Sequence, residues 1–175
     1  MQKVTFFSGF TFLLFIIIAF NPVKNEKVQW ITVSELQAAY GKNPKPILVD
    51  VYTSWCGWCK VMDKETYSNE KVAAYINEHY YAVKLNAEQK ESLEWGGKKF
   101  EYNKQNKVHD LAVFLCSGQM SFPTTVFLTD MNAQPAALSG YLKAKEIEPP
   151  LKYFGEGAYK TQNFQEFNKL FSASW

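Results

Sequence analysis

The stretch VDVYTSWCGWCKVMDKE, from Val49 to Glu65, constrains the fold of this chain more than any other part of the sequence. An apolar run comes first, Cys56 and Cys59 follow at once, and a helix-forming segment comes after them. Two cysteines at this spacing form a redox pair, half of a metal site or a structural crosslink. A disulfide that encloses so few residues removes little entropy from the unfolded chain, so it is a weak structural staple. The pair is therefore better explained by chemistry.

Apolar strands alternate with helices along the rest of the chain, which predicts a mixed α/β sheet in one domain. Thr32 and Glu35 have capping-box spacing at the start of the first helix. Pro149 and Pro150 predict that a late helix is broken or begins there. The predicted strands cover residues 46–54, 81–88, 122–130 and 134–141, and the predicted helices cover 32–41, 56–66, 70–80, 108–118, 144–157 and 163–171.

Length and charge limit the function classes that the chain can belong to. Its 175 residues are enough for one domain with a proper hydrophobic core. All 19 basic residues are lysines, and the net charge is only +2. Phosphate and nucleic acid are usually bound through the bidentate fork of arginine, which this sequence lacks, so no nucleic-acid partner is predicted.

The N-terminal segment differs from the rest of the sequence. After Lys3, the run from Val4 to Phe20 carries no charge. This run predicts a secretory signal peptide or a single membrane anchor over residues 1–22, at the short limit for crossing a bilayer. Cleavage and retention both remain open. The globular domain is predicted to cover residues 28–175 and to be exported, and a C-x-x-C pair outside the cytosol can be oxidised.

The segment ILVDVYTSWCGWCK resembles the active-site segment of the thioredoxin family, in which a strand, a W-C-x-x-C-K motif and a helix follow one another. Asp50 stands six residues before Cys56, as the buried carboxylate of that family does. KLN at 84–86 matches the end of the family's next strand, and FPTT at 122–125 matches the segment that carries its cis-proline. The resemblance covers about residues 28–154. The form WCGWCKxMDxET is further similar to exported thioredoxin-like proteins of bacteria.

This resemblance implies a thioredoxin-like α/β fold, with a central mixed sheet flanked by helices. The chain carries more residues between Lys84 and Pro123 than the core of the family needs. A hairpin around Gly96 and Gly97 is predicted to fill the excess, before the cis-proline strand. The insert is a lid, a partner surface or a decoration, and the sequence does not choose among these. The segment NFQEFNKLF predicts an extra C-terminal helix.

The chemistry of thiols assigns different tasks to the two cysteines. The thiolate is the attacking species, and a helix that begins at Cys56 stabilises it through unpaired N–H groups and the positive end of its dipole. Cys59 lies one turn further in and is predicted to resolve the mixed disulfide. Asp50, on an apolar strand behind it, is the candidate base, with a pKa raised by burial. Lys84 is predicted to pair with Asp50 and to moderate that shift.

Residues around the pair are predicted to bind the substrate. The resemblance implies that Pro123 is cis, which presents the backbone of Phe122 for strand addition by an extended substrate chain. Trp55 and Trp58 flank the pair and are packing residues or an aromatic platform for a peptide. The predicted substrate-binding set is Trp55, Gly57, Trp58, Phe122 and Pro123. Thioredoxin has Gly-Pro between its cysteines where this chain has Gly-Trp, so the reduction potential stays unassigned.

Cys116 is the third cysteine of the chain, and its predicted helix also contains His109. Cys116 is interpreted first as a small buried apolar residue. A resolving or glutathionylated thiol, or a ligand in a copper or zinc site with the pair and a histidine, are the alternatives. The metal hypothesis requires His109 close to Cys56 and Cys59. No metal and no cofactor are predicted.

These observations predict an exported thiol–disulfide oxidoreductase that acts on protein cysteines through a redox-active Cys56–Cys59 disulfide. Reduction or isomerisation is favoured over oxidation, because Asp50 helps Cys59 to act as a thiol donor. The expected partners are proteins with cysteines or disulfides and a membrane electron donor, and the expected location is the periplasm or the envelope face of a membrane. The alternative is a non-catalytic thioredoxin-fold module that binds a client protein or copper.

Overall fold

The computed structural model describes residues 27–175 of the chain. The predicted N-terminal signal or anchor lies outside these residues. The strands are β1 (Ile47–Tyr52), β2 (Tyr81–Asn86), β3 (Leu93–Trp95), β4 (Lys98–Phe100), β5 (Tyr102–Asn103), β6 (Val108–His109), β7 (Thr124–Leu128) and β8 (Ala136–Ser139). The helices are α1 (Val33–Tyr40), α2 (Gly57–Glu65), α3 (Glu70–His79), α4 (Asp110–Leu115), α5 (Ala144–Gly155) and α6 (Phe164–Leu170), with a short 3-10 helix at Ala158–Lys160.

Four of these strands form a mixed sheet in the order β2-β1-β7-β8. β1 runs parallel to β2 and antiparallel to β7, and β7 runs antiparallel to β8. The first five residues of β1 are buried, as expected for an apolar strand that is covered on both faces. The predicted mixed α/β fold, with a hairpin before the cis-proline strand and a C-terminal helix, is confirmed.

Alternate residues of β1 enter two different parts of the core. Ile47, Val49 and Val51 pack in the core on one face of the sheet, together with residues of α1 and α4. Leu48 packs on the other face with residues of α2, α3 and α5. Because side chains of a strand alternate in direction, Asp50 lies on the same face as Leu48, under α2. This geometry buries a carboxylate next to the helix that follows the cysteines.

Side-chain caps stabilise the starts of two helices, and the first of them was predicted. The Thr32 side chain accepts from the Glu35 N–H at 3.2 Å, and the Glu35 carboxylate accepts from the Thr32 N–H at 2.7 Å, which is the predicted capping box. Asn69 caps α3 by accepting from the N–H groups of Lys71 and Val72. These bonds satisfy N–H groups that have no partner within their helix.

The prediction for the helix with two prolines was wrong. α5 runs through Pro149 and Pro150 without a break, although each proline lacks an N–H for the helical hydrogen bond. Ile147 and Leu151 are buried among residues of the sheet and α3, and Pro150 is buried as well. Burial of this apolar face offsets the lost hydrogen bonds, which is a tertiary effect that local propensity does not contain.

The predicted helix 108–118 also differs from the structure. Val108 and His109 form β6, which pairs with β5, and α4 begins only at Asp110. The N–H of His109 donates to the carbonyl oxygen of Ala87 at 2.7 Å, which holds the backbone extended at this point. The insert therefore consists of two small hairpins, β3–β4 and β5–β6.

The first of these hairpins is an integral part of the core. Its turn lies at Gly96 and Gly97, as predicted, and both glycines have positive φ (56° and 76°). Trp95 is only 2% exposed, and its indole N–H donates to the carbonyl oxygen of Met131 at 2.9 Å. Met131 follows the end of β7, at the opposite end of the sheet from Cys56. This hairpin is neither a decoration nor a lid over the cysteines.

Trp95→Ala should destabilise the domain by about 3 to 5 kcal/mol, because it leaves a cavity and removes a buried hydrogen bond. Urea unfolding measures the change, monitored by far-UV circular dichroism and not by the fluorescence of the tryptophan that is replaced. Leu170→Ala is the matched control, since Leu170 is 88% exposed and its loss should cost less than about 0.5 kcal/mol. If Trp95→Ala and the control unfold at the same urea concentration, the packing of Trp95 does not stabilise the domain.

Within the range 27–175, no helix combines the length and the apolar character needed to cross a bilayer.

Candidate active site

Cys56 and Cys59 lie at the start of α2, a few residues after the end of β1. Cys56 is the N-cap of α2, with extended backbone dihedrals, and its sulfur accepts a hydrogen bond from the N–H of Cys59 at 3.0 Å. The two cysteines form a disulfide and both are buried, with 4% and 3% exposure. The predicted helix start is therefore confirmed, and a thiolate at Cys56 would lie at the positive end of the α2 dipole.

Asp50 is buried behind this helix, on the face of β1 that α2 covers. It is 1% exposed, and its Oδ2 lies 2.8 Å from the Nζ of Lys84. Its Oδ1 has no hydrogen-bond partner in the described part of the chain. Burial raises the pKa of Asp50 to about 6, against the attraction of the Lys84 ammonium, which lowers it. A carboxyl group with this pKa exchanges a proton near neutral pH, as a base for Cys59 requires.

Lys84 is held between two carboxylates and among aromatic rings. Its Nζ pairs with Asp50 and with Asp63, and it lies 5.1 Å from the ring centre of Trp30 and 4.9 Å from that of Tyr52. Burial lowers the pKa of Lys84, but the two carboxylates outweigh it and the net shift is upward. Lys84 therefore stays charged, and the predicted Asp50–Lys84 pair is present.

Sequence reasoning missed Asp63. This residue follows Cys59 by four positions in α2, so both side chains lie on the same face of the helix. That spacing was the available signal, because Asp50 was already predicted to lie behind Cys59 and Lys84 to pair with Asp50. Asp63 also raises the pKa of Asp50 through repulsion between the two carboxylates, a smaller effect than burial. The site thus contains two carboxylates, Asp50 and Asp63, that share the ammonium group of Lys84.

Asp50→Asn should change how stability depends on pH. The pKa of Asp50 rises from its ordinary value of 3.8 to about 6 on folding, so between these values the folded chain keeps a proton that the unfolded chain has lost. The native protein therefore loses stability as pH rises through this window, and Asp50→Asn does not. The difference in the free energy of unfolding should grow in favour of Asp50→Asn by about 2 kcal/mol from pH 4 to pH 7.5.

Urea unfolding at half-unit pH intervals measures this difference. Glu94→Gln is the control, because Glu94 is an exposed carboxylate of β3, and its curve should run parallel to that of the native protein. Parallel curves for Asp50→Asn and the native protein would mean that the carboxyl group of Asp50 titrates normally.

Two exposed tryptophans flank the disulfide and contact different neighbours. Trp55 is 67% exposed; its ring lies edge-on to Phe122 at 6.1 Å, and its indole N–H donates to Glu88 Oε1 at 3.1 Å. Trp58 is 62% exposed and stacks on Tyr141 at 5.6 Å. Rings this exposed contribute little to the core, which favours the predicted aromatic platform over packing. Glu88 was not predicted, and nothing in its sequence context marked it.

The cis-proline segment adjoins this platform. The Phe122–Pro123 peptide bond is cis, as the resemblance implies. Pro123 is buried, and its carbonyl oxygen accepts from the N–H of Gly140 at 2.8 Å. Gly57 is the first residue of α2, and a side chain there would meet nothing within 4 Å. The substrate-binding roles of these residues remain predictions.

Cys116 and His109 are both buried inside the domain. Cys116 is 1% exposed at the end of α4, and burial raises the pKa of its thiol to about 11. His109 is buried; its Nδ1 accepts from the N–H of Leu111 at 3.2 Å, and its Nε2 lies 3.0 Å from the carbonyl oxygen of Glu91. Both ring nitrogens are thus occupied. Among residues 27–175, no three histidine, cysteine or acidic side chains are placed to share a metal ion.

Comparison with known proteins gives matches of several kinds. The protein B0495.5 of Caenorhabditis elegans, named as uncharacterized, is 32% identical over 108 residues, which are 60% of this chain and 13% of that protein. The thiol:disulfide interchange protein DsbD of Pectobacterium atrosepticum is 33% identical over 58 residues, which are 33% of this chain and 9% of that protein. The chain thus spans only a small part of the length of these relatives.

The solved structure of a DsbH oxidoreductase has the same fold, with a TM-score of 0.54 and 18% identity over 85% of this chain and 95% of that one. Residues 19–154 match the family Thioredox_DsbH, which is described as a protein of unknown function, DUF255. These likenesses and the Cys56–Cys59 disulfide support thiol–disulfide redox chemistry at this site. Since the match covers most of its length, the chain belongs to this thioredoxin-like DsbH family.

Proposed function

We propose that the protein is an exported thiol–disulfide oxidoreductase that reduces or isomerises disulfides of client proteins. The observation that carries this proposal is the buried Asp50–Lys84 pair on the face of β1 that α2 covers. Cys59 must lose a proton each time it resolves a mixed disulfide, and the buried carboxylate of Asp50 is the group proposed to accept it. The same group would return the proton in the oxidising direction, so the direction of turnover depends on the reduction potential of the cysteine pair.

The first chemical step is the attack of the Cys56 thiolate on one sulfur of a client disulfide. The client S–S bond breaks, a mixed disulfide between Cys56 and the client forms, and the released client thiolate takes a proton from water. Burial leaves Cys56 only 4% exposed, so the attacking sulfur reaches the client at one narrow point of the surface. The exposed rings of Trp55 and Trp58 are placed to hold the client chain there.

The second step is the resolution by Cys59. Its thiol proton passes to the carboxylate of Asp50, and the resulting thiolate attacks the sulfur of Cys56. The bond between Cys56 and the client breaks, and the second client sulfur leaves and is protonated. The client has then gained two electrons, and the enzyme holds the Cys56–Cys59 disulfide that is present in this structure. A dithiol donor returns two electrons and restores the reduced pair.

The exported setting is the remaining part of the proposal. It is supported by the uncharged run from Val4 to Phe20, which is typical of a signal peptide or an anchor. The likeness of a third of the chain to DsbD, a thiol:disulfide interchange protein, supports protein thiols as partners. The electron donor proposed for this chain is a membrane protein that presents a dithiol on the side of the envelope where clients fold.

The test is to measure turnover and reduction potential together. The purified protein should accelerate the reduction of insulin by dithiothreitol, and its Cys56/Cys59 couple should titrate against glutathione near the reducing end of the thioredoxin-like range, about −270 mV rather than −120 mV. A strongly oxidising couple would instead make the protein a disulfide donor. If insulin is not reduced and the protein retains a client or copper in stoichiometric amount, it is a binding module.

A further inference from the structure

A short loop beside the cysteine pair connects the two segments that carry the redox site. Gly140, Tyr141 and Leu142 lie between β8 and α5, and we refer to them as the brace loop. The N–H of Gly140 donates to the carbonyl oxygen of Pro123, the cis-proline, at 2.8 Å. The carbonyl oxygen of Leu142 accepts from the hydroxyl of Thr66, at the end of α2, at 2.6 Å. The brace loop is thus bonded both to the cis-proline segment and to α2.

Tyr141 of the brace loop contacts α2 at two points. Its ring stacks on that of Trp58, with ring centres 5.6 Å apart and an angle of 28° between the planes. Its hydroxyl donates to Glu65 Oε2 at 2.6 Å. This bond raises the pKa of Tyr141, so the hydroxyl stays protonated and remains a donor at neutral pH. Trp58 and Glu65 are seven positions apart and therefore lie on the same face of the helix, along which the Tyr141 side chain extends.

The first turn of α2 is weakly held on its outer side. Gly57, its first residue, is exposed, and a Cβ added there would meet nothing within 4 Å. Glycine is also a poor helix former, because it has more backbone freedom to lose than other residues. Trp58 follows it with an exposed side chain. The stack of Trp58 on Tyr141 therefore restrains a turn to which its own first residue adds no side-chain contact.

The disulfide also holds this turn, but only in the oxidised protein. It links Cys56, the N-cap, to Cys59 in the first turn, so the turn is closed by a covalent bond. In the dithiol this bond is absent. The N–H of Cys59, which donates to the sulfur of Cys56 at 3.0 Å, is then kept in place by non-covalent contacts alone. Because helix ends fray, a restraint on the first turn matters most in the reduced protein, which is the state that attacks a client.

We propose that Tyr141 is a positioning residue of the redox site, which holds the first turn of α2 in place through its stack on Trp58. The N–H of Cys59 then remains directed at the sulfur of Cys56 after the disulfide opens. As a contribution to catalysis this inference rests on the proposed function, in which Cys56 attacks as a thiolate. A hydrogen bond to that sulfur favours the thiolate over the thiol. A ring from a distant segment thus supplies the restraint that proline would give to the backbone between the two cysteines.

Amide hydrogen exchange of Cys59, followed by NMR on the full chain in both redox states, tests this inference. In the dithiol form, Tyr141→Ala should speed this exchange by about two- to ten-fold, the effect expected from the loss of one aromatic pair. In the disulfide form the same variant should change the rate by less than about two-fold, because the disulfide itself holds the turn. Tyr141→Phe keeps the ring and loses only the bond to Glu65, so it should retain most of the native protection.

The pH dependence of Cys56 alkylation by iodoacetamide measures how readily the attacking thiol ionises in the dithiol form, and mass spectrometry assigns the modified residue. Tyr141→Ala should raise the midpoint of this profile by about 0.5 to 1 pH unit, the size of a lost interaction at a helix N-terminus, whereas Tyr141→Phe should stay close to the native midpoint. Tyr159→Ala is the matched control. Tyr159 is also partly buried, but it lines a cleft with Pro46, at the opposite end of β1 from Cys56, so its loss should change neither measurement.

The outcomes separate this inference from the proposed function. If Tyr141→Ala changes neither the exchange of Cys59 in the dithiol nor the alkylation midpoint of Cys56, Tyr141 does not position the site and the inference is wrong. Equal acceleration of exchange in both redox states also contradicts it, because the stack would then stabilise the domain in general. Neither measurement uses a client. Failure to reduce insulin would therefore overturn the proposed function, while the expected responses of Cys59 and Cys56 would still establish the positioning by Tyr141.

Discussion

Cys56→Ser should reduce disulfide turnover by on the order of 10³-fold or more, because loss of a nucleophile removes the covalent step itself. Cys59 does not replace it, since Cys59 is 3% exposed and lies one turn inside α2. Cys59→Ser should stop turnover as well, but after the first step. The mixed disulfide between Cys56 and the client then accumulates, and non-reducing electrophoresis with mass spectrometry measures it.

Cys116→Ser is the matched control for these two variants. Cys116 is buried at the end of α4, outside the disulfide, and burial raises the pKa of its thiol to about 11. Its loss should leave turnover within about two-fold of the native protein, because a thiol with this pKa holds almost no thiolate at neutral pH. Equal trapping of clients by Cys56→Ser and Cys59→Ser would contradict the assigned order of attack, and stronger trapping by Cys56→Ser would reverse it.

The parts of the site that sequence predicted correctly are those fixed by short-range geometry. A buried strand that ends a few residues before a helix places Cys56 at the helix start whatever the rest of the chain does. Asp50 lies on the strand itself, and its position six residues before Cys56 fixes the face that it occupies. Lys84 was predicted from the resemblance of the KLN segment to the end of the family's next strand, and in the structure β2 runs parallel to β1 with Asp50 and Lys84 as register partners.

The parts that were missed depend on contacts between distant segments. Glu88 accepts from the Trp55 indole because the parallel strands β1 and β2 end side by side, which brings the residues after each strand together. β6 replaces a predicted helical turn because His109 bonds to Ala87, twenty-two positions earlier in the chain. α5 continues through Pro149 and Pro150 because its buried face packs on the sheet. In each case a tertiary contact outweighs a local preference.

Asp50→Asn should slow the resolution of the mixed disulfide by about 100-fold, the usual contribution of a positioned general base. The first attack by Cys56 should change little, because the α2 N-terminus and not Asp50 stabilises that thiolate. Stopped-flow fluorescence of Trp55 and Trp58 separates the two steps in a single turnover. The native resolution rate should also fall as pH drops below about 6, the pKa to which burial raises Asp50, whereas that of Asp50→Asn should not show this inflection.

Asp63→Asn separates a base at Asp50 from a general effect of charge. Lys84 keeps its pair with Asp50 in this variant, but the repulsion from Asp63 that raises the Asp50 pKa is lost. Resolution should therefore remain fast at neutral pH, and its inflection should move to lower pH. Asp50→Asn and Asp63→Asn remove the same charge from neighbouring positions, so equal slowing in both would mean that the electric field of the site, rather than proton transfer to Asp50, controls resolution. Slowing of both chemical steps in Asp50→Asn would also contradict the role of base, because only the second step requires Cys59 to lose its proton.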